Sequence, residues 1–132
     1  MAQIGSWGNV LVFSTDDKRI LTFSDFKRKI STQWAKHDRI GQKSSVEFLR
    51  ADLQQVTFTV VLDASLGIRP RWILENLEKQ VEYGNINPLV IGGKRVGQKE
   101  WRITELSEAW EIVLSKGELA RAKLEVTMEE YL

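Results

Sequence analysis

Polar and apolar residues alternate along most of the chain, which is the pattern of half-buried β-strands. The alternation is clearest in residues 55–62 and 119–128. Every second residue of these segments is apolar and falls on one face: Val56, Phe58 and Val60 in the first, and Ala120, Ala122, Leu124, Val126 and Met128 in the second. Both segments are therefore predicted to be strands with one face in a hydrophobic core.

One segment has a helical period instead. Apolar residues in 69–84 recur at spacings of three and four, which gives a single apolar stripe on a helix: Ile73, Leu74, Leu77 and Val81. Pro70 suits the first turn, where a missing N–H costs nothing, and Gly84 followed by Pro88 suits the end. The spacing predicts one main α-helix at about 70–83.

Glycine-containing turns separate the predicted strands. Gly117 lies between two alternating runs, so residues 109–128 are predicted to form a β-hairpin. Gly92 and Gly93 mark a second turn after an apolar run. Together these signals predict seven or eight strands and a helix inserted midway. The predicted fold class is α+β, mostly β: an antiparallel barrel or sandwich.

Other aromatic and acidic positions give further expectations about burial. Residues 26–35 are predicted to be a further alternating segment, with Phe26, Ile30 and Trp34 on one face and Lys27, Lys29 and Gln33 on the other. Three tryptophans in patterned segments are expected in the core and two beside glycine or charged residues are expected at the surface: Trp72, Trp101 and Trp110 in the core, Trp7 and Trp34 at the surface. Glu129 and Glu130 are expected in a solvated tail.

Composition narrows the function classes. The chain has 132 residues, a net charge of +1, no cysteine and one histidine. This length suits a single domain, 1–132. Disulfides, thiol catalysis and multi-histidine metal sites are excluded, and we expect no cofactor and no metal. The balanced charge makes nucleic-acid binding an unfavoured alternative. No apolar run reaches the ~18 residues of a spanning helix, so we expect synthesis in the cytosol and no membrane partner.

No set of residues in the sequence assembles a catalytic pattern. His37 is the single imidazole, and its neighbour Asp38 would point to the opposite face of a strand, so His37 is expected to be an ordinary loop or interface residue. Residues 92–95 lack the spacing of a phosphate-binding loop.

The two halves of the C-terminal part of the chain differ in charge. Residues 67–99 carry a net charge of +3 and residues 100–132 a net charge of −4. Unlike charges on one chain suggest head-to-tail self-association into a ring.

The order of motifs along the chain resembles that of one known family. The segments that carry the resemblance are Gly8–Ser14, Thr32–His37 with Arg39–Gly41, Glu47–Leu49, Val56–Val60, Pro88–Gly92, Gly97, Trp101–Thr104 and Ala122–Met128. In their order and spacing they resemble the GpU family of contractile-tail phage proteins, which also occurs in defective prophages and phage-tail-like bacteriocins. The tail Glu129–Leu132 and an expected loop at Gly41–Ser45 are departures.

The resemblance implies a structural protein of the virion tail or of a phage-tail-like particle, with a tail-tube-like fold and without enzymatic activity. It implies a homo-oligomeric ring, expected to be a hexamer, at the baseplate end of the tail tube. The implied partners are the tail tube protein, a baseplate hub or LysM-type protein, and a tape measure in the lumen. A terminator ring at the other end of the tube remains the alternative.

Candidate interface residues follow from exposed aromatic, basic and turn positions. They fall in three groups: Trp34, His37 and Arg39 in the first, Gly92, Gly93, Lys94 and Arg95 in the second, and Lys116 and Gly117 in the third. A small nucleic-acid-binding β-barrel and a cell-wall hydrolase are the competing classes, ranked in that order below the ring component.

Overall fold

Most of the described chain is built from antiparallel β-strands. The computed structural model describes residues 2–8, 11–15 and 20–132. Over these residues it has twelve strands and one α-helix: β1 (Ala2–Trp7), β2 (Leu11–Thr15), β3 (Ile20–Leu21), β4 (Phe23–Lys29), β5 (Thr32–Arg39), β6 (Gln42–Ala51), β7 (Gln55–Asp63), α1 (Pro70–Glu82), β8 (Ile86–Asn87), β9 (Leu89–Ile91), β10 (Lys94–Arg95), β11 (Glu100–Val113) and β12 (Leu119–Tyr131). The predicted class, mostly β with one main helix, is confirmed, and one sheet curls as a half-barrel.

The strands form two five-stranded sheets and a separate hairpin. The first sheet has the order β10-β9-β1-β2-β3, and the second has the order β4-β7-β12-β11-β8. A two-stranded hairpin of β5 and β6 completes the set. Only Thr22 separates β3 from β4, so the chain passes directly from the first sheet into the second. The strand count exceeds the predicted seven or eight because several strands have two or three residues.

The core lies where alternating strand residues of the two sheets meet. The alternation predicted in residues 55–62 and 119–128 is confirmed, because the apolar residues of β7 and most of those of β12 are buried. The largest buried side chains come from both sheets: Trp7, Leu11, Phe13, Phe58, Leu62, Trp101, Leu124 and Met128. Phe13 of the first sheet meets Phe58 of the second with ring centroids 5.7 Å apart, which joins the sheets through an edge-to-face contact.

The helix α1 covers part of the second sheet, as its apolar stripe requires. Ile73, Leu74 and Leu77 are buried, and α1 contacts β11 and β12. Pro70 is its first residue, and Gly84, with φ of 68°, follows its C-terminal end. The predicted helix is confirmed within one residue at its C-terminal end.

Both predicted hairpin turns are confirmed. Gly92 and Gly93 have φ of 63° and 79°, which is the geometry of the two-residue turns that join twisted strands, here β9 and β10. Gly117 has φ of 78° between β11 and β12, and the N–H of Leu114 donates to the carbonyl of Glu118 across that turn. The hairpin is longer than predicted, because β11 and β12 extend to Glu100 and Tyr131.

The expected solvated tail at Glu129 and Glu130 is wrong, since β12 continues through both residues. The Glu130 side chain is buried, and its Oε1 accepts a hydrogen bond from the N–H of Gln54 at 2.7 Å. Glu129 forms an ion pair with Arg102 of the neighbouring strand. Two acidic residues in succession belong to a strand here because each one has a partner on its own face.

The continuous alternating segment predicted across residues 26–35 is also wrong. β4 ends at Lys29, and β5 begins at Thr32 in a different sheet. Ile30 lies between the two strands and is exposed.

The loop expected at Gly41–Ser45 is also wrong. It is replaced by a two-residue turn, because β6 already begins at Gln42, which pairs with Arg39. Of the segments that carry the resemblance, Asn9 and Val10 lie outside the described residues.

Three of the five tryptophan expectations are wrong. Trp7 is fully buried in the core, and its Nε1 donates to the carbonyl of Trp101 at 3.0 Å between the sheets, so the buried N–H has a partner. Trp72 is half exposed because it lies beside the apolar stripe of α1 rather than on it. Trp110 faces the same side as the buried Ala122 but lies where the core is not covered, so it is 47% exposed. Trp101 is buried and Trp34 exposed, as expected.

Trp7→Phe is expected to destabilise the fold because it removes this buried donor. Loss of the buried hydrogen bond costs about 0.5–1.5 kcal/mol, and the smaller ring adds a loss of packing. The measurement is the free energy of unfolding in urea. Trp72→Phe makes the same change at a half-exposed position and is the control, with an expected effect within about 0.5 kcal/mol. Equal effects of the two substitutions would contradict the assigned core.

Candidate functional site

The outer face of the second sheet is mostly polar along β7 and β12, with Val61 as an apolar exception. Between their buried residues, these strands present Gln55, Thr57 and Thr59 from β7 and Lys123, Glu125 and Thr127 from β12. All six are exposed or half-buried. The face is therefore an extended hydrated surface of mixed charge, suited to contact with water and with polar chains.

Ion pairs hold the charged side chains of this face in place. Arg121 contacts Oδ2 of Asp63 at 3.1 Å and Oε1 of Glu111 at 3.3 Å. The pKa of Asp63 is lowered, first by hydrogen bonds from the hydroxyl and N–H of Ser65 and then by Arg121. These contacts are solvent-accessible and contribute modestly to stability. They hold the side chains of Arg121, Asp63 and Glu111 in place on this face.

The described residues contain no cluster of three or more His, Asp or Glu side chains that could hold a metal ion. His37 lies on β5, and its Nε2 is 3.0 Å from Oε2 of Glu47, with both side chains more than half exposed. Ser45 lies directly across from His37 in the strand pairing. Within the described residues, however, the imidazole contacts Glu47 and not the Ser45 hydroxyl, so the hydrogen bond between nucleophile and base that catalysis needs is not formed. The contact is an exposed cross-strand pair.

The hairpin of residues 32–51, here called the arm, projects from the sandwich. None of its residues is fully buried, and β5 and β6 pack extensively only against each other. The predicted interface residues Trp34, His37 and Arg39 all lie on β5 of the arm. The structure therefore brings this first group together on one element.

One face of the arm carries an exposed cluster of apolar side chains, beside Lys36. Trp34 and Phe48 lie opposite each other, with ring centroids 5.1 Å apart in an edge-to-face arrangement, and Val46 follows on the same face. The exposed fractions are 55% for Trp34, 50% for Phe48 and 64% for Val46. A cluster of large apolar side chains on a projecting hairpin is typical of a contact surface for another protein.

The base of the arm is fastened by Asp52. Its Oδ2 accepts hydrogen bonds from Nε2 of Gln33 at 2.8 Å and from the hydroxyl of Ser31 at 2.9 Å. Its N–H donates to the carbonyl of Ser31 at 3.0 Å. The bonds from Gln33 and Ser31 lower the pKa of Asp52 below the ordinary value of 3.8. Asp52 therefore links the two chain segments that connect the arm to the sandwich.

A second exposed surface, missed by sequence reasoning, lies on β11. β8 pairs with β11 only at Trp101 and Arg102, so within the described residues no strand pairs with the outer edge of β11 from Ile103 to Val113. This stretch is here called the open edge. It carries three glutamates and no basic residue, and its distal end has half-exposed apolar side chains: Trp110, Ile112 and Val113. The apolar alternation was visible in sequence, but the missing neighbour strand was not.

The other two predicted interface groups lie far apart in the topology. Gly92, Gly93, Lys94 and Arg95 form the β9–β10 turn and the edge strand of the first sheet. Lys116 and Gly117 form the tip of the β11–β12 hairpin, close to Arg69 and Trp72 near the start of α1. The structure thus places the nine residues at three separate sites rather than in one patch.

Comparison with protein-family models decides the family. The model described as Phage P2 GpU matches residues 11–132. The chain belongs to the Phage P2 GpU family. The resemblance inferred from the sequence motifs is therefore confirmed, and this GpU protein is a structural protein of a phage tail. A search of curated proteins finds no match. Within the described residues, no helix has the length and apolar character to cross a membrane.

The Asp52 anchor gives a testable pKa. Nuclear magnetic resonance titration is expected to place the Asp52 pKa below 3.8 and to show it rising toward that value in the variant Ser31→Ala/Gln33→Ala, which removes both donors. Because the folded-state pKa is lowered, the contribution of Asp52 is present above pH 3.8 and is lost as pH falls through the lower folded value. Asp63 is the internal control, with its own pKa unchanged in this variant. An Asp52 pKa that is the same in this variant as in the unsubstituted protein would contradict the assigned hydrogen bonds at the base of the arm.

Proposed function

We propose that this GpU protein is a single-domain building block of a homo-oligomeric ring at the baseplate end of the tail tube, between the tube and the hub. The observation that supports this proposal is the set of exposed apolar side chains on the arm. The Trp–Phe–Val cluster on this projecting hairpin is not covered by any other described residue of the same copy, and assembly would bury it. The family match supports a tail role, and the position along the tail is our proposal.

The polar outer face of the second sheet supports a lumen-facing role for that sheet. A ring through which a long protein passes needs an inner surface that stays hydrated and does not bind the passing chain tightly. The alternating threonine, lysine and glutamate side chains of β7 and β12 meet that requirement. The proposed partners are other copies of the chain, the tail tube protein, a hub or LysM-type protein, and a tape measure in the lumen.

A hexamer is the proposed stoichiometry, and a terminator ring at the opposite end of the tube is the second candidate for the same chain. The proposed role is non-enzymatic, in line with the structural role of the family. The mixed ion pairs on the sheet face weigh against a nucleic-acid groove, because such a groove needs an excess of basic side chains.

Electron microscopy of intact particles tests the position. The chain is labelled at its C-terminal residue Leu132, which is exposed, and the label is located along purified tails. We expect density at the baseplate end. In particles made without this protein, we expect tube assembly to fail, because a starting ring is missing. Over-long tubes with a complete baseplate, or label at the opposite end, would contradict this position and favour the terminator ring.

A further inference from the structure

We infer that the arm of one copy docks along the open edge of β11 in a second copy. The inference rests on the proposed ring and goes beyond it by naming the two surfaces that meet. Strands β5 and β6 have 8 and 10 residues, and the open edge of Ile103–Val113 is of similar length. Each side therefore offers an unpaired strand edge that the other can extend by main-chain hydrogen bonding.

The charges of the two surfaces are complementary. The arm carries four basic residues and two acidic ones, a net charge of +2: Lys36, Arg39, Lys43 and Arg50 against Asp38 and Glu47. The open edge carries three glutamates and no basic residue: Glu105, Glu108 and Glu111. Glu111 is already paired with Arg121, so Glu105 and Glu108 supply the negative charge that faces the arm. Unlike charges steer the two surfaces together and disfavour contacts of arm with arm or of edge with edge.

The apolar residues of the two surfaces are also matched in kind. Trp34, Val46 and Phe48 of the arm are at least half exposed, and Trp110, Ile112 and Val113 of the open edge are about half exposed. Because both sets keep this exposure, the arm does not cover the open edge within one copy. Docking buries aromatic and β-branched side chains on both sides, which is the composition of an interface core.

The topology makes the contact head-to-tail. The arm joins β4 to β7 at one margin of the second sheet, whereas β11 lies two strands beyond β7. Along the strands, the arm leaves beside Gln55, which pairs with Glu129, whereas Val113 pairs with Leu119 at the opposite end. Two complementary surfaces on different margins form a heterologous contact, which is the type of contact that a ring of identical copies uses.

Site-specific cross-linking tests the contact, because the chain has no cysteine of its own. Val46→Cys on the arm and Ile112→Cys on the open edge are introduced into separate preparations, mixed, and treated with a short bismaleimide. We expect a cross-linked dimer of one copy of each variant. The matched control mixes Val46→Cys with Lys94→Cys, an exposed thiol on the edge of the first sheet, and we expect about tenfold less product.

Charge reversal supplies a second measurement that does not depend on cross-linking geometry. Glu105→Lys/Glu108→Lys on the open edge, or Lys36→Glu/Lys43→Glu on the arm, is expected to weaken self-association about tenfold in sedimentation velocity. In a mixture of the two reversed variants, copies can alternate so that unlike charges meet at every contact, wild-type arm with wild-type edge and reversed arm with reversed edge. We therefore expect the mixture to recover self-association. Unchanged circular dichroism and thermal unfolding confirm that the variants remain folded.

The outcomes separate this inference from the proposed ring. If oligomers form but show no Val46–Ile112 cross-link, and charge reversal does not weaken them, the proposed docking surfaces are wrong while the proposed ring still stands. A chain that stays monomeric at every concentration would overturn the docking as well. Labelled protein absent from purified tails would overturn the proposed function itself, independently of which surfaces cross-link.

Discussion

The arm sets the main physical constraint on this protein. A two-stranded hairpin is marginally stable in water by itself, and this one also leaves Trp34, Val46 and Phe48 at least half exposed. Its internal contacts are the strand pairing, one aromatic pair and a few exposed polar bonds, with Asp52 fastening its base. The arm comprises twenty residues, and the protein gains stability when another molecule buries the exposed apolar side chains of the arm. The proposed assembly follows from this requirement.

The sandwich holds the arm and the open edge at fixed places. Its core is continuous because alternating residues from β7 and β12 meet Trp7, Leu11 and Phe13 of the first sheet. The hydrogen bond between Trp7 and Trp101 joins the two sheets directly. Since α1 also packs on the second sheet, that sheet is braced on one face and free on the other. The free face is polar, which suits a ring lumen.

The sequence predicted the elements whose formation depends on hydrophobic periodicity and on the backbone preferences of glycine and proline. The helix at Pro70–Glu82, the strand at Gln55–Asp63 and the two glycine turns follow from periodicity and backbone preference. Burial of individual residues was less predictable, because it depends on which distant element covers them. Trp110 faces the core side but lies beyond its cover, and Glu130 is buried because Gln54 supplies a donor from 76 residues away.

The candidate site was predictable in part for the same reason. Trp34, His37 and Arg39 were singled out by residue type, and the structure places them on one projecting hairpin. The open edge was not predictable, since it depends on β8 having only two residues, which pair with Trp101 and Arg102 and reach no further along β11. The turn at Ile40 and Gly41 similarly replaces an expected loop, because pairing of Arg39 with Gln42 closes the hairpin tightly.

Hydrogen–deuterium exchange of the arm amides over a range of protein concentration tests the central claim most directly. If the arm is an assembly element, exchange of residues 32–51 and of residues 103–113 slows together as concentration rises, while exchange in the β9–β10 turn stays constant. Arm amides that exchange equally fast at every concentration, and equally fast in assembled particles, would contradict the account.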